Sequence, residues 1–503
     1  MASSPDDWST QSNDALHISL VRPDNGTSKT ISTFHPKFTY PIFGDEESIF
    51  GYQGLKIHLR YNASDMRPGV LITYNKRFKA VGDVEPTDLK GALEDFLPEN
   101  AFQKPAAFDA AINDPNLAGF TPPGKLLQTH EEDEVAYEIW YGNSADPAVQ
   151  QLLRRLQILV ALFIEGGTAI NDEEWASGRW TVFFMYKKAP GTDEPVSKYT
   201  FMGYCTVYQY YPLIPKLPLP APGTQRKAIS LPVNSDASIP FPDQSLSDLP
   251  IRSRLSQFIV LPPFQGGGHG ARFYSAVFSH LHSDPQTVEI TIEDPNEAFD
   301  DLRDLNDLIY LRKLPDFQSL KINTNASVRR KGRVPSDEII EKAALEKLRK
   351  KVKIAPRQFQ RLVEMQLLST IPTSIRKSLM LEPRSTNTAE SKFRQHEYRL
   401  WCLLVKQRLY KHNKDSLIQL ERGERIEKLE EAAGNVESDY ARLLRKLDKG
   451  KDSAAEKETL EVPEASGSGV STPGKRPAES AELDLSVRQS KKVKIEEEEE
   501  EEE

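Results

Sequence analysis

The sequence has only two cysteines and no long apolar run. Cys205 and Cys402 lie far apart in the chain, so we predict neither a disulfide framework nor a cysteine-based zinc site. The longest apolar stretch, ILVALFI at 158–164, is much shorter than the roughly 20 residues that a membrane helix needs. The start, MASSPDDWST, lacks the basic and then apolar pattern of a signal peptide. We therefore expect a protein of the cytoplasm or nucleus with no membrane partner.

The charge of the chain is unevenly distributed. It contains 65 Lys and Arg against 74 Asp and Glu, which gives a formal net charge of −9 at pH 7. Residues 496–503 are all glutamate and account for nearly all of this excess. Proteins that bind nucleic acid through its phosphates usually carry an excess of Lys and Arg. We therefore expect no direct binding to nucleic acid.

Length and periodicity predict three folded regions between two disordered ends. A chain of 503 residues can hold about three domains of roughly 150 residues. Apolar residues alternate from Leu55 to Tyr61, which is typical of a half-buried strand, whereas apolar spacing at about 147–164 predicts a helix. The expected divisions are a disordered N-terminus at 1–14, a strand-rich N-terminal α/β domain at 15–128, a mixed domain at 129–330, a helical region at 331–450 and a disordered tail at 451–503.

Two further segments have a distinctive composition. Residues 212–250 contain nine prolines, which favours an exposed insertion rather than a helix or a central strand. Residues 415–449 carry a heptad pattern through Ile426, Tyr440 and Leu447, weakened by Gly434. This seam fits either a helix that packs on its own protein or a dimeric coiled coil, and the sequence leaves both alternatives open.

A glycine-rich loop is the most informative motif. In VLPPFQGGGHGARFYSAVF, at 260–278, four glycines at 266, 267, 268 and 270 lie between a predicted strand at 256–261 and a predicted helix at about 270–282. Glycine allows positive φ and close approach of main-chain N–H groups, and a helix N-terminus attracts anions. The loop therefore predicts a site for a phosphate-bearing cofactor, with a flexible hinge as the alternative.

Two other nucleotide-binding loops can be compared with this motif. Gly266, Gly268 and Ala271 fit the dinucleotide pattern G-x-G-x-x-A, and Glu293 ends the next strand where a ribose-binding acid would lie. The dinucleotide turn normally follows its strand directly, however, and here PPFQ intervenes. A nucleoside-triphosphate loop is excluded more firmly, because no Lys-Ser or Lys-Thr follows the glycines.

The longer blocks resemble a known family. QGGGHGA matches the Q-x-x-G-x-G signature of the GCN5-related N-acetyltransferase superfamily through Gln265, Gly268 and Gly270. LPPFQGGGHGARFYSAVF, EITIEDPNEAFDDLRDLND and FGDEESIFGYQGLKI resemble the fungal type B histone acetyltransferase catalytic subunits over about 15–370. The resemblance implies an α+β (α/β) fold with a mixed central sheet and flanking helices at 129–330. It also implies a histone-tail-binding N-terminal domain and a helical C-terminal region.

The resemblance also implies how acetyl-CoA binds. In this family the glycine loop binds the pyrophosphate of the coenzyme, the preceding strand binds the pantetheine arm, and one asparagine gives a further contact. The corresponding residues are Gln265, Gly266, Gly267, Gly268, His269, Gly270 and Ala271 in the loop, Phe258, Ile259 and Val260 in the strand, and Asn296. We expect His269 to pack or form hydrogen bonds and assign it no catalytic role.

Acetyl transfer to lysine needs a base. The amine has a free pKa of about 10.4 and cannot attack a thioester while it is protonated. Glu293 ends TVEITIE directly before Asp294 and Pro295, so its carboxylate is expected at the edge of the glycine loop, where burial would raise its pKa. The family's general base occupies this position. By resemblance, Glu165 and Asp294 are auxiliary carboxylates, and no metal is expected.

Two stretches are expected to bind the basic substrate. FGDEESIFGY at 43–52 supplies Asp45, Glu46 and Glu47, and the family contacts the histone H4 tail here and at Tyr208, Gln209 and Tyr210. The resemblance implies free H4, together with H3 before its deposition, and a WD40-repeat histone-binding subunit as partners. Lys475-Arg476 and KKVK at 491–494 resemble a bipartite nuclear import signal, so both cytoplasm and nucleus are expected. Two alternatives remain open: an NAD(P)-dependent oxidoreductase and a non-enzymatic histone chaperone with an acidic tail.

Overall fold

The structure is a computed structural model that describes residues 8–170, 176, 178–190, 197–212, 249–328, 334–380 and 388–460. The chain divides into a large compact unit, Met1–Asp448, and a second unit, Lys449–Glu503. The three predicted folded regions therefore lie within one compact unit, except for residues 449–450 at the end of the third. Most of the predicted insertion at 212–250, and residues 461–503 of the predicted tail with its basic clusters and glutamates, lie outside the described residues.

The strands are β1 (Ser9–Gln11), β2 (Leu16–Asp24), β3 (Thr27–Phe34), β4 (Ser48–Phe50), β5 (Tyr52–Gln53), β6 (Lys56–Asn62), β7 (Pro68–Thr73), β8 (Lys76–Arg77), β9 (Lys125–Glu132), β10 (Val135–Asn143), β11 (Trp180–Lys188), β12 (Tyr199–Tyr210), β13 (Ile251–Val260) and β14 (Thr287–Ile292).

The α-helices are α1 (Ser12–Ala15), α2 (Tyr40–Phe43), α3 (Leu89–Glu94), α4 (Pro105–Ile112), α5 (Pro147–Leu156), α6 (Ile158–Phe163), α7 (His269–Ser283), α8 (Glu297–Leu311), α9 (Pro315–Gln318), α10 (Ser336–Ile339), α11 (Lys342–Val352), α12 (Pro356–Thr370), α13 (Thr373–Met380), α14 (Ala389–His412), α15 (Lys414–Ile418) and α16 (Arg422–Leu460). Short 3₁₀ turns lie at Glu99–Phe102, Pro115–Gly119 and Pro262–Phe264. Among the described residues, no helix is both long and apolar enough to cross a membrane.

A six-stranded sheet forms the centre of the large unit. Its order is β14-β13-β12-β11-β10-β9, and the neighbouring strands are antiparallel except for the parallel pair β13 and β14. Successive side chains of a strand point to opposite faces, so Phe183 and Phe184 enter two different cores. One core includes α7, α8 and the C-terminal helices, and the other includes the N-terminal sheet. The predicted α+β fold with a mixed central sheet is confirmed.

The N-terminal region is built on a second sheet. Its order is β3-β2-β6-β7, and the alternation predicted from Leu55 to Tyr61 appears as the buried side of β6 at Ile57, Leu59 and Tyr61. The disorder predicted for 1–14 does not extend to residues 9–14, of which Ser9–Gln11 form β1 and pair with β4, and the rest belong to α1. The predicted boundary at 128 also falls inside β9, because that strand already belongs to the six-stranded sheet.

The helix predicted at 147–164 is two helices, α5 and α6. The break lies at Gln157, where Val160 N donates to Gln157 O at 3.0 Å in a tighter i to i+3 turn. The side chain of Gln157 is used elsewhere, because its Oε1 accepts a hydrogen bond from Ile170 N at 2.8 Å. The break therefore coincides with a side-chain contact to the segment after α6, which the apolar spacing does not show.

The predicted heptad seam packs within the large unit. Tyr440, Leu443 and Leu447 of α16 are buried in the same core as Trp401 of α14. The hydroxyl of Tyr440 donates to Glu364 Oε2 at 3.0 Å, so α16 is also joined to α12 by a buried polar contact. The structure favours the internally docked helix over the dimeric coiled coil. The helix also continues to Leu460, beyond the predicted start of disorder at 451.

Candidate active site

Strands β13 and β14 separate into a fork. Their pairing ends at Leu255 and Ile292, and Glu293 N then donates to Leu255 O at 2.9 Å. Beyond this point β13 continues to Val260 and pairs only with β12 in the described part of the chain. The edge of residues 256–260 therefore has main-chain groups that an extended ligand can use as an additional strand would.

A bulge at Ser256 sets the orientation of this edge. Val207 of β12 pairs with Leu255, whereas the preceding residue, Thr206, pairs with Gln257, so Ser256 is the extra residue. The bulge changes the face of the following side chains: Leu255 lies in the core on the α7 side, whereas Ile259 lies in the core on the N-terminal side.

Main-chain hydrogen bonds show which strand residues face the open edge. Leu261 N donates to Met202 O of β12 at 2.8 Å. Because main-chain groups alternate along a strand, Ile259 also faces β12, whereas Phe258 and Val260 face the open edge. The carbonyl of Val260 accepts a hydrogen bond from Gln265 Nε2 at 2.7 Å. Of the three strand residues predicted to bind coenzyme, two therefore present their main chain to the fork.

The glycine loop lies at the end of this edge and leads into α7. Gly266 has φ +84° and Gly268 has φ +74°, so both adopt the left-handed region that favours glycine. Gly268 caps α7, whose first N–H groups, at His269, Gly270 and Ala271, have no carbonyl in a preceding helical turn. Positive φ and unpaired N–H groups at a 15-residue helix are the features of a main-chain anion site.

His269 has a packing role in this loop. Its ring lies 4.8 Å from the ring of Tyr137, and its Nδ1 lies 3.3 Å from Arg272 Nη1. Burial, followed by the charge of Arg272, lowers the pKa of His269 from its ordinary value. These contacts agree with the expectation that it packs and forms hydrogen bonds.

Glu293 lies at the branch of the fork, directly after β14. Its Oε2 accepts a hydrogen bond from Ser256 Oγ at 2.5 Å, and its Oε1 lies 3.9 Å from Arg254 Nη1. The Glu293 side chain is 40 % exposed, so the burial that we expected for the base is not present. Sequence reasoning did not single out Ser256 or Arg254, although both lie on the accessible side of β13 and its alternation could have indicated them.

The two residues that follow Glu293 turn the chain toward α8. Asp294 is exposed and has φ +31°, a left-handed conformation that is unusual for a residue with a side chain. Asn296 caps α8, because its Oδ1 accepts a hydrogen bond from Phe299 N at 2.9 Å. Of the Asn296 side chain, only the amide nitrogen Nδ2 takes no part in this cap. The predicted coenzyme contact of Asn296 would use this atom or the main chain.

Glu165 follows α6 on a segment attached to β13. The Glu165 side chain is exposed, and two residues of the segment, Thr168 and Ile170, make defined contacts. Gln257 Nε2 donates to Thr168 O at 2.9 Å, while Ile170 N is bound by Gln157. Gln257 directly follows Ser256, the partner of Glu293. The structure thus joins the segment of Glu165 to the strand that positions Glu293.

The predicted acidic docking stretch divides into two parts. Asp45 and Glu46 are exposed, but the Glu47 carboxylate accepts hydrogen bonds from Thr39 N at 2.6 Å and from Asn13 Nδ2 at 2.7 Å. Glu47 therefore stabilises the start of α2. Of the three predicted docking carboxylates, Glu47 is therefore the one whose oxygen atoms already accept hydrogen bonds from the protein.

The second docking stretch ends β12 beside Glu293. Tyr208 pairs across the sheet with Arg254, which places it near the fork. The ring of Tyr208 packs against Trp180 at 4.8 Å, and Tyr210 is 45 % exposed. Gln209 is partly exposed, and its N–H donates to Arg179 O at 2.9 Å. Sequence reasoning did not identify Trp180, whose position opposite Tyr208 follows only from the register of β11 and β12.

Potential metal ligands do not cluster in this site. Within the described residues, no group of three or more His, Cys, Asp or Glu side chains could bind a metal ion.

Comparisons with known proteins identify related chains. A family model described as "Histone acetyl transferase HAT1 N-terminus" matches residues 8–165, and one described as "Fungal HAT1, C-terminal" matches residues 315–371. The proteins named "Histone acetyltransferase type B catalytic subunit" in Gibberella zeae and Neurospora crassa are 45 % and 44 % identical. The matches cover 91 % and 98 % of this chain and 96 % and 99 % of those relatives.

A more distant relative has the same name. The protein of Cryptococcus neoformans is 31 % identical over 88 % of this chain and 99 % of its own length. These names favour the acetyltransferase over the oxidoreductase and the chaperone, the two alternatives that the sequence left open. The chain therefore belongs to the family of type B histone acetyltransferase catalytic subunits and is an enzyme of that class.

Proposed function

We propose that this chain transfers the acetyl group of acetyl-CoA to the ε-amines of lysines in the N-terminal tail of free histone H4. The observation that carries the proposal is the fork. It brings the open edge of β13, the glycine loop and the Glu293 carboxylate to one end of the sheet. The names of the relatives support a histone substrate and the use of acetyl-CoA.

The residues of the fork fit acetyl-CoA. The N–H groups around Gly266 and Gly268 suit its diphosphate. The main-chain groups of Phe258 and the N–H of Val260 suit the amides of its pantetheine arm, whereas the Val260 carbonyl is already bonded to Gln265. When bound, the coenzyme would supply a thioester. Its acetyl carbon would form the bond to the amine nitrogen, its bond to sulfur would break, and CoA would leave as the thiol with one proton of the amine. An extended arm along β13 would lead from the glycine loop toward Ser256 and Glu293, because these residues lie at the other end of the open edge.

Glu293 then acts as the general base. Its carboxylate accepts a proton from the lysine ammonium, directly or through one water, and leaves the neutral amine free to attack. Ser256 orients the carboxylate through the 2.5 Å hydrogen bond. The Glu293 side chain is 40 % exposed, so the carboxylate is accessible to a substrate amine. Direct attack needs neither a covalent enzyme intermediate nor a metal ion. We assign Glu165 and Asp294 as auxiliary carboxylates near the amine.

The docking surface extends from Asp45 and Glu46 to the Tyr208 end of β12. Exposed carboxylates attract a basic tail and chiefly set its encounter rate and register. Tyr208 and Tyr210 offer aromatic surface beside Arg254 and Glu293. The substrate lysine would thus approach the fork from the β12 side.

We further propose the partners and location that the family resemblance implies. The name "catalytic subunit" of the relatives suggests a partner subunit, and we assign this role to a WD40-repeat histone-binding protein. The substrate would be H4 in its complex with H3 before deposition, in both cytoplasm and nucleus.

A Glu293→Gln variant tests the proposed base. We expect kcat to fall by about 100- to 10,000-fold, because positioned bases contribute rate factors of this size. Mass spectrometry of free H4 incubated with acetyl-CoA measures both rate and lysine choice, and calorimetry should show unchanged coenzyme binding. Glu390→Gln, an exposed position at the start of α14, is the matched control. Acetylation at the rate of the unmodified chain would exclude Glu293 as the base.

A further inference from the structure

Arg272 lies over the glycine loop in the first turn of α7. Its guanidinium is 4.0 Å from the point where a Cβ on Gly268 would lie, and its Nη1 is 3.3 Å from His269 Nδ1. Its Nη2 forms an ion pair with Glu132 Oε2 at 2.7 Å. The Arg272 side chain is 32 % exposed and that of Glu132 is 44 % exposed, so solvent reaches both partners.

Two further basic side chains face the same loop. Tyr137, whose ring packs against His269, is paired across the sheet with Lys187 of β11 and His130 of β9. Residues directly opposite each other in adjacent strands point to the same face, so these three side chains form one row. Lys187 forms no ion pair with a carboxylate in the described part of the chain, and His130 Nε2 lies 3.8 Å from Glu132 Oε2.

The Glu132 carboxylate is itself an anion held by basic side chains. Arg272 and His130 both lie within ion-pair distance of the same oxygen, beside the N-terminus of α7. An exposed ion pair contributes little to stability, so the protein can exchange it at low cost. A phosphate group carries more charge than a carboxylate, and it forms stronger, bidentate hydrogen bonds with a guanidinium.

We propose that Arg272, together with Lys187 and His130, forms a phosphate subsite beside the glycine loop, with Glu132 as the internal counterion that the phosphate displaces. The inference rests on the proposed use of acetyl-CoA. It adds side-chain contacts to a phosphate group of that molecule, beside the main-chain contacts of the loop. Acetyl-CoA carries two sources of phosphate, its diphosphate and its 3′-phosphate. The shared chemistry is a phosphate group at the helix N-terminus.

Opposite charge changes at the ion pair test the subsite. Arg272→Gln should raise KM for acetyl-CoA about tenfold, because a charge-assisted contact is lost. Glu132→Gln should lower KM several-fold, because it removes the competing carboxylate. Neither change should alter kcat or the unfolding temperature by much, and Arg422→Gln, at an exposed position of α16, is the matched control. An increase in KM for Glu132→Gln, or unchanged KM for Arg272→Gln, would overturn the proposal.

Truncated donors distinguish the two phosphates. If the subsite takes the 3′-phosphate, Arg272→Gln should have no effect on KM with acetyl-3′-dephospho-CoA. If it takes the diphosphate, the effect should persist with that donor and disappear with S-acetylpantetheine. An effect of equal size with all three donors would show that Arg272 does not recognise phosphate.

Binding of CoA to the full chain, measured by calorimetry, separates this inference from the proposed function. An enzyme that binds CoA through Arg272 but does not acetylate H4 would support the subsite and contradict the proposed substrate. If the chain acetylates H4 and the Arg272→Gln variant binds CoA with unchanged affinity, the proposed substrate is supported and the subsite is contradicted.

Discussion

The hydroxyl of Tyr40 accepts a hydrogen bond from the main-chain N–H of Gly166 at 2.8 Å, across 126 residues of chain. Tyr40 begins α2, the helix whose start is stabilised by Glu47. A second contact joins the same regions, since Lys37 N donates to Leu162 O at 2.9 Å. The acidic docking stretch and the turn after Glu165 therefore share one support, although they are distant in sequence.

Tyr40→Phe removes this hydrogen bond and little else. We expect kcat to fall about fivefold, because the loss of one hydrogen bond of about 1 kcal/mol frees the turn that positions Glu165. KM for acetyl-CoA should not change, since the glycine loop is not contacted. Steady-state kinetics with H4 and acetyl-CoA measures both quantities.

A double variant decides whether Tyr40 acts through Glu165. In a Glu165→Gln background, Tyr40→Phe should cause no further loss, because the group that it positions is already removed. Tyr310→Phe in α8 is the matched control. It loses a hydroxyl near His282 of α7 and should retain full activity. Equal losses from Tyr40→Phe in both backgrounds would show that Tyr40 does not position Glu165.

Glu47 and its two neighbours should respond differently to loss of charge. Glu47→Gln is expected to lower the free energy of unfolding by about 1–3 kcal/mol, because charged hydrogen bonds to Thr39 N and Asn13 are weakened. Asp45→Asn with Glu46→Gln should leave stability unchanged and raise KM for an H4 tail peptide. Thermal or chemical denaturation and peptide kinetics measure the two effects. Similar stability losses in both variants would contradict the separation of a structural Glu47 from a substrate-docking Asp45 and Glu46.

The sequence predicts the local part of the site well. The order of β13, glycine loop, α7, β14 and α8 follows from alternation, glycine content and apolar spacing, and each of these signals lies within about 20 residues. The contacts of Gln157 and Glu47 were not predicted, because each joins a side chain to the main chain of a different segment, and apolar spacing carries no signal for such a contact. The bulge at Ser256 was also missed, since it depends on the register with β12.

Residues of the C-terminal region illustrate the same limit. Heptad spacing identified Tyr440 and Leu447 as one apolar seam, but spacing alone does not say which surface covers that seam. In the structure, packing against Trp401 and the hydrogen bond to Glu364 show that α14 and α12 cover the seam. Conversely, the exposure of Glu293 could not be foreseen, because it depends on how far β13 and β14 separate.

Asp307 should make the stability of the chain depend on pH. It accepts hydrogen bonds from Tyr274 at 2.9 Å and Gln358 at 3.1 Å, and so joins α7, α8 and α12. Burial raises the pKa of Asp307 from 3.8 to about 6. The folded chain therefore binds this proton more tightly than the unfolded chain, and ionisation of Asp307 costs stability as the pH rises from about 4 to about 6.

Asp307→Asn removes this titration. Relative to the unmodified chain, the free energy of unfolding of the variant should increase by up to about 3 kcal/mol between pH 4 and pH 7. Denaturation at several pH values measures this difference. Asp316→Asn, at an exposed position, should show no such slope. A pH-independent difference for Asp307→Asn would contradict the assignment.

Ser256→Ala tests how Glu293 is positioned without removing the base. The variant loses the hydroxyl that donates to Glu293 Oε2 at 2.5 Å, so the carboxylate can rotate toward Arg254 or solvent. We expect kcat to fall about 5- to 20-fold, consistent with the loss of one hydrogen bond to a charged group. KM for acetyl-CoA should change little, because Ser256 lies at the end of the open edge away from the glycine loop. Ser256→Thr keeps a hydroxyl and should retain most of the activity, whereas equal losses in both variants would indicate that the bulge, and not the hydrogen bond, is what the reaction requires.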